Sequence, residues 1–439
     1  MTTATIQERQ SVFKWNLRHL YWDVFYFGIL AGSTLAFQSI YAARLGASEL
    51  QIGLLTAGPA IVGLIFTLPS GRWMEGRSFI KVTFQSSILQ RLGYIFLIAL
   101  PWLFPSEAGQ VWGVIWTTLA ISVAGTVLAI SFNALFAEVV PPEARADAVG
   151  RRNILLAISI TAATLISGQI LDRVAFPYNY QIVFFLGAAG ALLSSYHLGR
   201  FRRPDHVEQI PSAEDPPPEL AAPAVPESEG TRGPLPNPAG SSPGESIAIR
   251  RTRAWIRLDL LRGPFGIFML AYLAFYAFQY FPIPIFPIAY VDSLHMTDGM
   301  IGIGTAIFYG AMMLGSFRLG YFSTRFGHRK VLWASAALFP AFPLLLGVAR
   351  GPELYYLACL VGGGVNAMLS GSIINRFMER VPANDRAAHM TLHNLALNLG
   401  ILGGSLLGPL AANLIGIQPS LILSGGLRLL AAGFFLLWG

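Results

Sequence analysis

The sequence has few charged residues, a single cysteine and no nucleotide-binding P-loop motif. Charged residues make up only 12% of the 439 positions, against about 25% in ordinary soluble domains, which argues against a soluble globular protein. The lone Cys359 excludes a disulfide within one chain and argues against a site in which several cysteines hold a metal. Because the sequence has no P-loop, we expect the protein to be driven by ion or solute gradients rather than by a bound nucleotide.

Groups of catalytic side chains are also missing. An enzyme embedded in a membrane would need clustered His, Asp or Glu at membrane depth, and no such cluster or Ser-His-Asp arrangement stands out. The sequence therefore predicts no catalytic residues, no cofactor and no metal site, and it predicts that the protein is not an enzyme.

Long apolar runs dominate the sequence, and hydrophobic residues make up 54% of it. Twelve segments are long enough, at about 20 residues, to cross a bilayer as helices. We therefore predict an all-α membrane protein with twelve transmembrane spans. Their approximate limits are 18–43, 49–73, 79–103, 111–139, 151–175, 180–200, 262–291, 297–321, 330–349, 354–380, 388–416 and 419–439.

Lysine and arginine are distributed very unevenly between the two sides of the predicted membrane. Of 30 such residues, only Arg44, Arg173 and Arg350 fall in loops opposite the N-terminus, while Arg91 and Arg428 fall within spans. All the others lie on the N-terminal side, which the positive-inside rule assigns to the cytoplasm. This distribution predicts a multi-pass protein of the plasma (inner) membrane with both termini cytoplasmic. It also explains the net charge of +7 without a nucleic-acid partner.

The second half of the chain repeats the first. Segment 45–54 returns at 294–303, an offset of 249, and segment 133–145 returns at 374–386, an offset of 241. Duplicated membrane-spanning halves are common in secondary transporters, because two similar bundles can rock about a site between them. Individual matches are Gly71 with Gly320, Lys81-Val82 with Lys330-Val331, Gln38 with Gln279, Glu138 with Glu379, Pro141 with Pro382, and Arg145 with Arg386.

A proline-rich stretch separates the two halves. Residues 204–249 hold eleven of the 28 prolines and cannot bury a core, so we predict a disordered cytoplasmic linker over 201–255. It would join an N-terminal six-helix bundle (1–200) to a C-terminal one (256–439). Arginines flank the linker, and they indicate either contact with anionic membrane lipids or simple anchoring of a tether. Residues 255–261 are predicted to form a short interfacial helix.

A loop motif between spans 8 and 9 carries a family resemblance. The sequence Gly320-Tyr-Phe-Ser-Thr324-Arg325-Phe-Gly327-His-Arg329-Lys carries the Gly, Arg, Gly, Arg and Lys of the pattern G-x-x-x-D-R-x-G-R-[KR], although Thr324 replaces the acid and His328 is inserted before Arg329. In the first half only Gly71 and an acid, Glu75, remain. With its twelve spans, two halves and long central loop, the chain resembles the major facilitator superfamily. The resemblance implies two six-helix bundles related by a pseudo-two-fold axis.

The same resemblance implies a latch that holds the halves together in the outward-facing state. Its candidate members are Gly71, Glu75, Gly320, Arg325, Gly327 and Arg329, with topological anchoring as the alternative. The repeated charges at the inner ends of spans 4 and 10 can pair in one state and separate in another, or can be solvated ion pairs. They are Glu138, Arg145, Glu379 and Arg386.

His389 and His393 lie four residues apart at the cytoplasmic start of span 11, on one helical face. Two such residues can share a metal, but the sequence offers no third ligand. A pH-sensitive gate element and plain polar packing remain as alternatives.

Polar side chains within the spans are the candidates for substrate binding. The resemblance implies that spans 1, 4, 7 and 10 line a central cavity, and all five candidates lie in these spans. Their neutral groups favour a neutral or amphipathic molecule, while hydrogen bonding between helices is the alternative. These candidates are Gln38, Asn133, Gln279, Asn366 and Asn375.

Asp23 is the only acid well inside a span and is the candidate for proton coupling, although a structural ion pair with the nearby Arg18 is an equal alternative. Arg91 and Arg428 lie near mid-bilayer, where they can snorkel, pair with a neighbouring helix or bind an anion.

Two proline and glycine patterns mark spans 7 and 11. Span 7 contains Pro282, Pro284 and Pro287, which should break or bend the helix toward its outer end. Span 11 contains Gly404-Ser-Leu-Leu-Gly408-Pro, which permits close helix contact. The latter resembles a pattern of the drug-antiporter branch, although that branch carries it in span 5.

Together these observations predict a secondary active transporter of a small organic solute that works by alternating access. Proton-coupled efflux of an amphipathic compound is the specific expectation, with membrane lipids and protons as further partners and a monomer as the working unit. The alternative is a membrane protein of the same fold that no longer transports and instead assembles other components or senses a ligand.

Overall fold

The computed structural model describes residues 3–74, 76–202, 258–381 and 386–438, and these residues are almost entirely helical. The helices are α1 (Thr3–Leu30), α2 (Ala36–Arg44), α3 (Glu49–Met74), α4 (Phe79–Leu103), α5 (Glu107–Val139), α6 (Pro142–Arg173), α7 (Tyr178–Leu198), α8 (Pro264–Tyr280), α9 (Ile285–Ile288), α10 (Asp298–Phe326), α11 (His328–Leu338), α12 (Ala341–Val348), α13 (Pro352–Arg380), α14 (Arg386–Ile415) and α15 (Ile417–Trp438).

Twelve segments of the described chain are long and apolar enough to cross a membrane, which confirms the predicted number of spans. Three spans contain an interruption. In span 1 a π-helical segment, Ala31–Leu35, joins α1 to α2, and in span 7 another, Ala289–Ser293, follows α8 and α9. Span 9 consists of α11 and α12, and each remaining span is one helix.

Helix contacts divide the spans into two bundles. In the first, α1 packs on α6 and α7, and α4 packs on α5 and α7. In the second, α8 packs on α14, and α13 packs on α10 and α11. The contact of span 1 with span 5 thus has its equivalent in the contact of span 7 with span 11, as the sequence repeat predicts. The bundles meet where α3 packs on α14 and α6 packs on α10.

The glycines of span 11 lie against the backbone of span 7. A Cβ atom would come within 2.2 Å of the Ala277 carbonyl oxygen if added at Gly404 and meet the Phe281 carbonyl if added at Gly408. The predicted close contact is therefore real, and it lies within the second bundle. In the first bundle the equivalent contact uses a glycine of the other helix, since a Cβ at Gly32 of span 1 would lie 2.5 Å from the Ile160 carbonyl of span 5.

Arg428 of span 12 stabilises the interruptions in spans 7 and 9. Proline lacks the N–H group that would bond the carbonyl four residues earlier, so Pro282 leaves the Phe278 carbonyl without its helical donor, and Pro343 does the same to Phe339. The buried guanidinium donates to the carbonyls of Gln279 (2.7 Å), Phe278 (3.4 Å) and Phe339 (3.5 Å). Arg428 therefore pairs with neighbouring helices, as one of the three predicted alternatives proposed, and its partners are backbone carbonyls.

Two predicted segments fall largely outside the described residues. Of the predicted linker, only residues 201 and 202 are described. The Arg202 backbone N–H donates to Asn16 Oδ1, and the Arg202 carbonyl accepts from Asn16 Nδ2, both at 2.9 Å. Of the predicted interfacial helix, the part that is described is a 3₁₀ turn, Leu258–Leu261.

Replacing Arg428 tests this account of the broken spans. Arg428→Met should lower the melting temperature of the detergent-purified protein strongly, because each carbonyl left without a donor costs about 1–3 kcal/mol. Arg428→Lys, which keeps one donor group, should lie between this variant and the wild type. Equal melting temperatures for all three proteins would contradict the proposed role.

Candidate functional site

Residues from both bundles meet at the end of the molecule that the positive-inside rule assigns to the outside. Arg44, the last residue of span 1, forms an ion pair of 3.0 Å with Asp298, the first residue of α10 in span 8. Arg44 also donates to the Met296 carbonyl, and the Tyr180 hydroxyl donates to the second oxygen of Asp298 at 2.8 Å. Asp298 is buried, so both of its oxygens are occupied where little water can compete.

A second carboxylate caps the same helix. Asp172, near the outer end of span 5, accepts hydrogen bonds from the Thr297 hydroxyl (3.0 Å) and the Gly299 backbone N–H (2.9 Å). A carboxylate at a helix N-terminus is favoured by the helix dipole. Close packing supports the contact, because a Cβ at Gly168 would lie 3.1 Å from the Gly299 Cα atom.

We refer to Arg44, Asp172, Tyr180, Thr297 and Asp298 as the outer clasp. Each of its hydrogen bonds described above joins the first half of the chain to the second. The clasp joins the bundles at the outer end of their interface. No sequence pattern indicated it, because Arg44 and Asp172 are an ordinary loop-flanking arginine and an ordinary helix-end acid.

Toward the inner end, a cavity of about 530 Å³ lies between the two bundles. Its wall comes from span 5 of the first bundle and from spans 8 and 10 of the second, so it lies between the halves. Most of the wall is apolar, with methionines Met312 and Met313 in span 8. The polar groups of the wall include the side chains of Asn153, Tyr309, Ser316 and Ser370.

The predicted substrate residues are not gathered in this wall. Asn366 comes nearest, since its Nδ2 atom lies 3.5 Å from the sulfur of Met312, which lines the cavity. Gln38 is half-buried, and its Oε1 atom is buried without a hydrogen-bond partner among the described residues. Gln279 and Asn375 are half-buried and Asn133 is exposed.

Asp23 lies in a buried polar cluster inside the first bundle. Its carboxylate accepts a hydrogen bond from the Ser194 hydroxyl of span 6, and Arg91 Nη2 of span 3 donates to the same Ser194 oxygen at 2.8 Å. Arg152 of span 5 adds a second positive charge near Asp23. The charged neighbours of Asp23 are therefore Arg91 and Arg152, whereas Arg18 lies over the Trp15 ring at 5.8 Å.

Arg91 is only 2% exposed and points into the bundle, away from the lipid. Pairing with a neighbouring helix was one of the predicted alternatives, and the partner of Arg91 is Ser194 of span 6. Ser194 and Arg152 had no distinguishing sequence signal, because their approach to Asp23 depends on how spans 1, 3, 5 and 6 rotate against one another.

Two of the predicted gate charges, Arg145 and Glu379, contact groups of their own halves. Arg145 donates to the carbonyls of Ala137 (2.8 Å) and Val140 (3.0 Å), so it caps the inner end of span 4. Glu379 forms an ion pair of 2.8 Å with Arg376 of the same helix. Glu138 is exposed, and the side chain of Arg386 lies outside the described residues.

The latch candidates include three glycines, Gly71, Gly320 and Gly327. Gly71 and Gly320 lie inside α3 and α10, and the turns that follow are made by Gly76 and Gly327, whose φ angles of 73° and 80° suit glycine. Of the three candidates, Gly327 therefore makes a turn, whereas α3 and α10 continue past Gly71 and Gly320.

The latch arginines form hydrogen bonds with residues of their own half of the chain. Arg329 donates to the Leu436 carbonyl of span 12 at 2.8 Å, and Arg325 donates to the Tyr321 hydroxyl. Glu75 lies outside the described residues. These contacts do not test the latch, which is expected to engage in the outward-facing state.

The histidines of span 11 are buried against aromatic rings. His393 shares a hydrogen bond of 2.9 Å with the Tyr276 hydroxyl, and its ring centre lies 4.6 Å from that of Phe377. His389 meets the Phe265 ring edge-on at 4.6 Å. These contacts with spans 7 and 10 favour the packing alternative.

Solved structures share this fold. A mutant of the nucleoside transporter NupG superposes with a TM-score of 0.67 at 14% identity, covering 96% of this chain and 99% of that one. A bacterial homologue of the iron transporter ferroportin gives 0.67 in its inward-facing state, at 12% identity and coverage of 100% and 99%. The outward-facing structure of such a homologue, with soaked iron, gives 0.57 at 12% identity and coverage of 96% and 98%.

No curated protein matches the chain by sequence. The profile of the Major Facilitator Superfamily, in contrast, matches residues 24–278 and again residues 268–439. The two matches cover most of the chain and repeat across its two halves, as the internal duplication requires. The chain therefore belongs to the Major Facilitator Superfamily.

Proposed function

We propose that this membrane transporter is a secondary active transporter of a small organic solute, and that it works by alternating access. The proposal rests on the difference between the two ends of the interface between the bundles: one end is joined by polar contacts, and a cavity lies toward the other. The outer clasp joins the halves at one end, and a cavity of about 530 Å³ lies between them toward the other. Two bundles that rock about such an interface expose a central site to one side at a time.

The cavity wall favours an amphipathic cargo. Met312 and Met313 offer adaptable apolar surface, while Asn153, Ser316 and Ser370 offer neutral hydrogen-bonding groups. Neither strong charge nor a metal-binding set is needed to bind a molecule of this kind. The position of the cavity in the inner half of spans 5 and 8 favours binding of cargo from the cytoplasm, and hence export.

Rocking to the outward-facing state requires the clasp to open and the inner ends to approach. Arg44 must leave Asp298, and Asp172 must leave the N-terminus of α10, at a cost that inner contacts must offset. The exposed Glu138 and the arginines Arg325 and Arg329 lie at the inner ends, where they can form those contacts together with Glu75 and Arg386.

Asp23 is the proposed proton carrier. Its buried carboxylate holds Ser194, which in turn holds Arg91, so spans 1, 3 and 6 depend on one hydrogen-bond chain. Protonation removes the negative charge that offsets Arg91 and Arg152, which changes the free energy of this packing. An acid whose charge controls helix packing can couple a proton gradient to rocking.

We infer that the protein lies in the plasma (inner) membrane with both termini cytoplasmic, and that it acts as a monomer. A thermal-stability screen of the purified protein against a solute library identifies the cargo, because a bound solute raises the melting temperature. Uptake of that solute into proteoliposomes then tests transport. Absence of flux for every stabilising solute, together with a stable protein partner on pull-down, would favour the non-transporting alternative.

Weakening the clasp should open the outer end. Asp298→Asn removes the charge that holds Arg44, and hydrogen bonds to charged groups contribute about 1.5–3 kcal/mol, so the outward-open population should rise about tenfold or more. Spin labels on cysteines introduced at Glu107 and Leu414, in a Cys359→Ala background, report the outer separation. Asp147→Asn, which breaks an exposed ion pair with Arg151, is the matched control and should leave the distances unchanged.

Neutralising Asp23 separates coupling from binding. Asp23→Asn should abolish flux driven by a pH gradient but keep solute exchange at equal pH, because asparagine cannot carry the proton. Both fluxes are measured with the solute found in the screen, and Asp147→Asn again serves as the control. Proton-driven flux at the wild-type rate would reject Asp23 as the carrier.

A further inference from the structure

We propose that each half of the protein binds an acyl chain of an anionic phospholipid from the inner leaflet, in a groove that the internal duplication has copied. Groove A lies between spans 2, 3 and 4, and groove B lies between spans 8, 9 and 10. Their volumes are about 770 and 700 Å³. Both are separate from the cavity between the bundles, so the inference does not depend on the transport proposal.

The two grooves correspond residue by residue under the offsets of the sequence repeat. Wall residues from spans 2 and 3 reappear in groove B 249 positions later, and wall residues from span 4 reappear 241 positions later. Three such pairs are Val82 with Val331, Leu89 with Leu338, and Val127 with Met368. Two halves that have diverged so far in sequence have therefore kept the same hollow at the same place.

Both grooves are apolar and open toward the lipid. Leu89 is 67% exposed and Leu338 58% exposed, on faces that in a membrane meet hydrocarbon chains rather than water. The wall of groove A along span 3 runs from Val82 to Leu92, about 15 Å of helix at 1.5 Å per residue. That length equals about half of the 30 Å hydrocarbon core, so one extended acyl chain matches the groove.

Positive charge at the inner mouth of each groove selects the headgroup. Lys81 directly precedes Val82 at the start of span 3, and Lys330, its equivalent in the repeat, lines groove B. Both lysines are exposed. Arg77 adds charge beside groove A, since its guanidinium lies 4.0 Å from the Trp73 ring centre. Basic side chains at this depth attract anionic headgroups, and a chain whose headgroup is held by lysine extends along the apolar wall.

Tryptophans in the grooves provide the test. Trp73 lines groove A and Trp333 lines groove B, while Trp22 of span 1 lies outside both grooves with similar exposure (44%, against 47% and 39%). The full-length protein is reconstituted in phosphatidylcholine vesicles that contain a small fraction of brominated phosphatidylglycerol, and tryptophan quenching is measured. Quenching should exceed that given by the same fraction of brominated phosphatidylcholine by at least twofold.

Single replacements then assign the signal. Trp73→Phe and Trp333→Phe should each remove part of the excess quenching, whereas Trp22→Phe should leave it intact. Ala334→Phe, at an exposed position of groove B, should fill that groove and remove the Trp333 component. Lys81→Gln with Lys330→Gln should bring the two brominated lipids to equal quenching.

Wild-type quenching that is equal for the two brominated lipids would overturn the proposal without any variant, so a folding defect in a variant cannot protect it. An excess that survives loss of both groove tryptophans, or that disappears with Trp22→Phe, would also overturn it. Quenching that responds to the lysines but not to Ala334→Phe would show headgroup attraction to the surface without a bound chain in groove B.

Discussion

The structure depends on one constraint: a backbone in hydrocarbon must satisfy its own hydrogen bonds. Unbroken helices meet this requirement along most of the chain, and the exceptions have specific solutions. Prolines 282 and 343 each take away a helical donor, and the guanidinium of Arg428 replaces the missing donors at Phe278 and Phe339. A charged side chain at membrane depth is therefore part of the price of bending spans 7 and 9, and it needs no carboxylate partner.

The buried charged residues of the two bundles have different partners, although the bundles share a common origin. The first bundle contains an acid, Asp23, which is held through Ser194 by Arg91. The second contains Arg428 on backbone carbonyls and no carboxylate beside it among the groups that contact it. Uptake of one proton by Asp23 would change the internal charge balance of the first bundle, as the coupling role proposed for this residue requires. Grooves A and B, in contrast, have stayed alike. One apolar residue can replace another in their walls without changing the character of the groove, and a lysine remains at each mouth.

Closure of the outer end combines packing with charge. Small residues at Gly168 and Gly299 let spans 5 and 8 approach to backbone contact, and Asp172 can then reach the first N–H groups of α10. Asp298 is consequently buried beside Arg44 and Tyr180, where an ion pair is stronger than it would be in water. The clasp is thus a device in which loss of one glycine or one charge should weaken the whole contact.

The sequence by itself determined the twelve spans, the duplication and the family, because span length, periodic repetition and composition are properties of a linear pattern. It also located Asp23 and Arg428 as residues out of place in lipid. Only the tertiary structure decided their partners: Ser194 and Arg91 for the first, carbonyls of spans 7 and 9 for the second. The clasp and the turn glycine Gly76 were likewise hidden. Which faces of two helices meet depends on rotations and depths summed over all twelve spans, and no local pattern of residues records that sum.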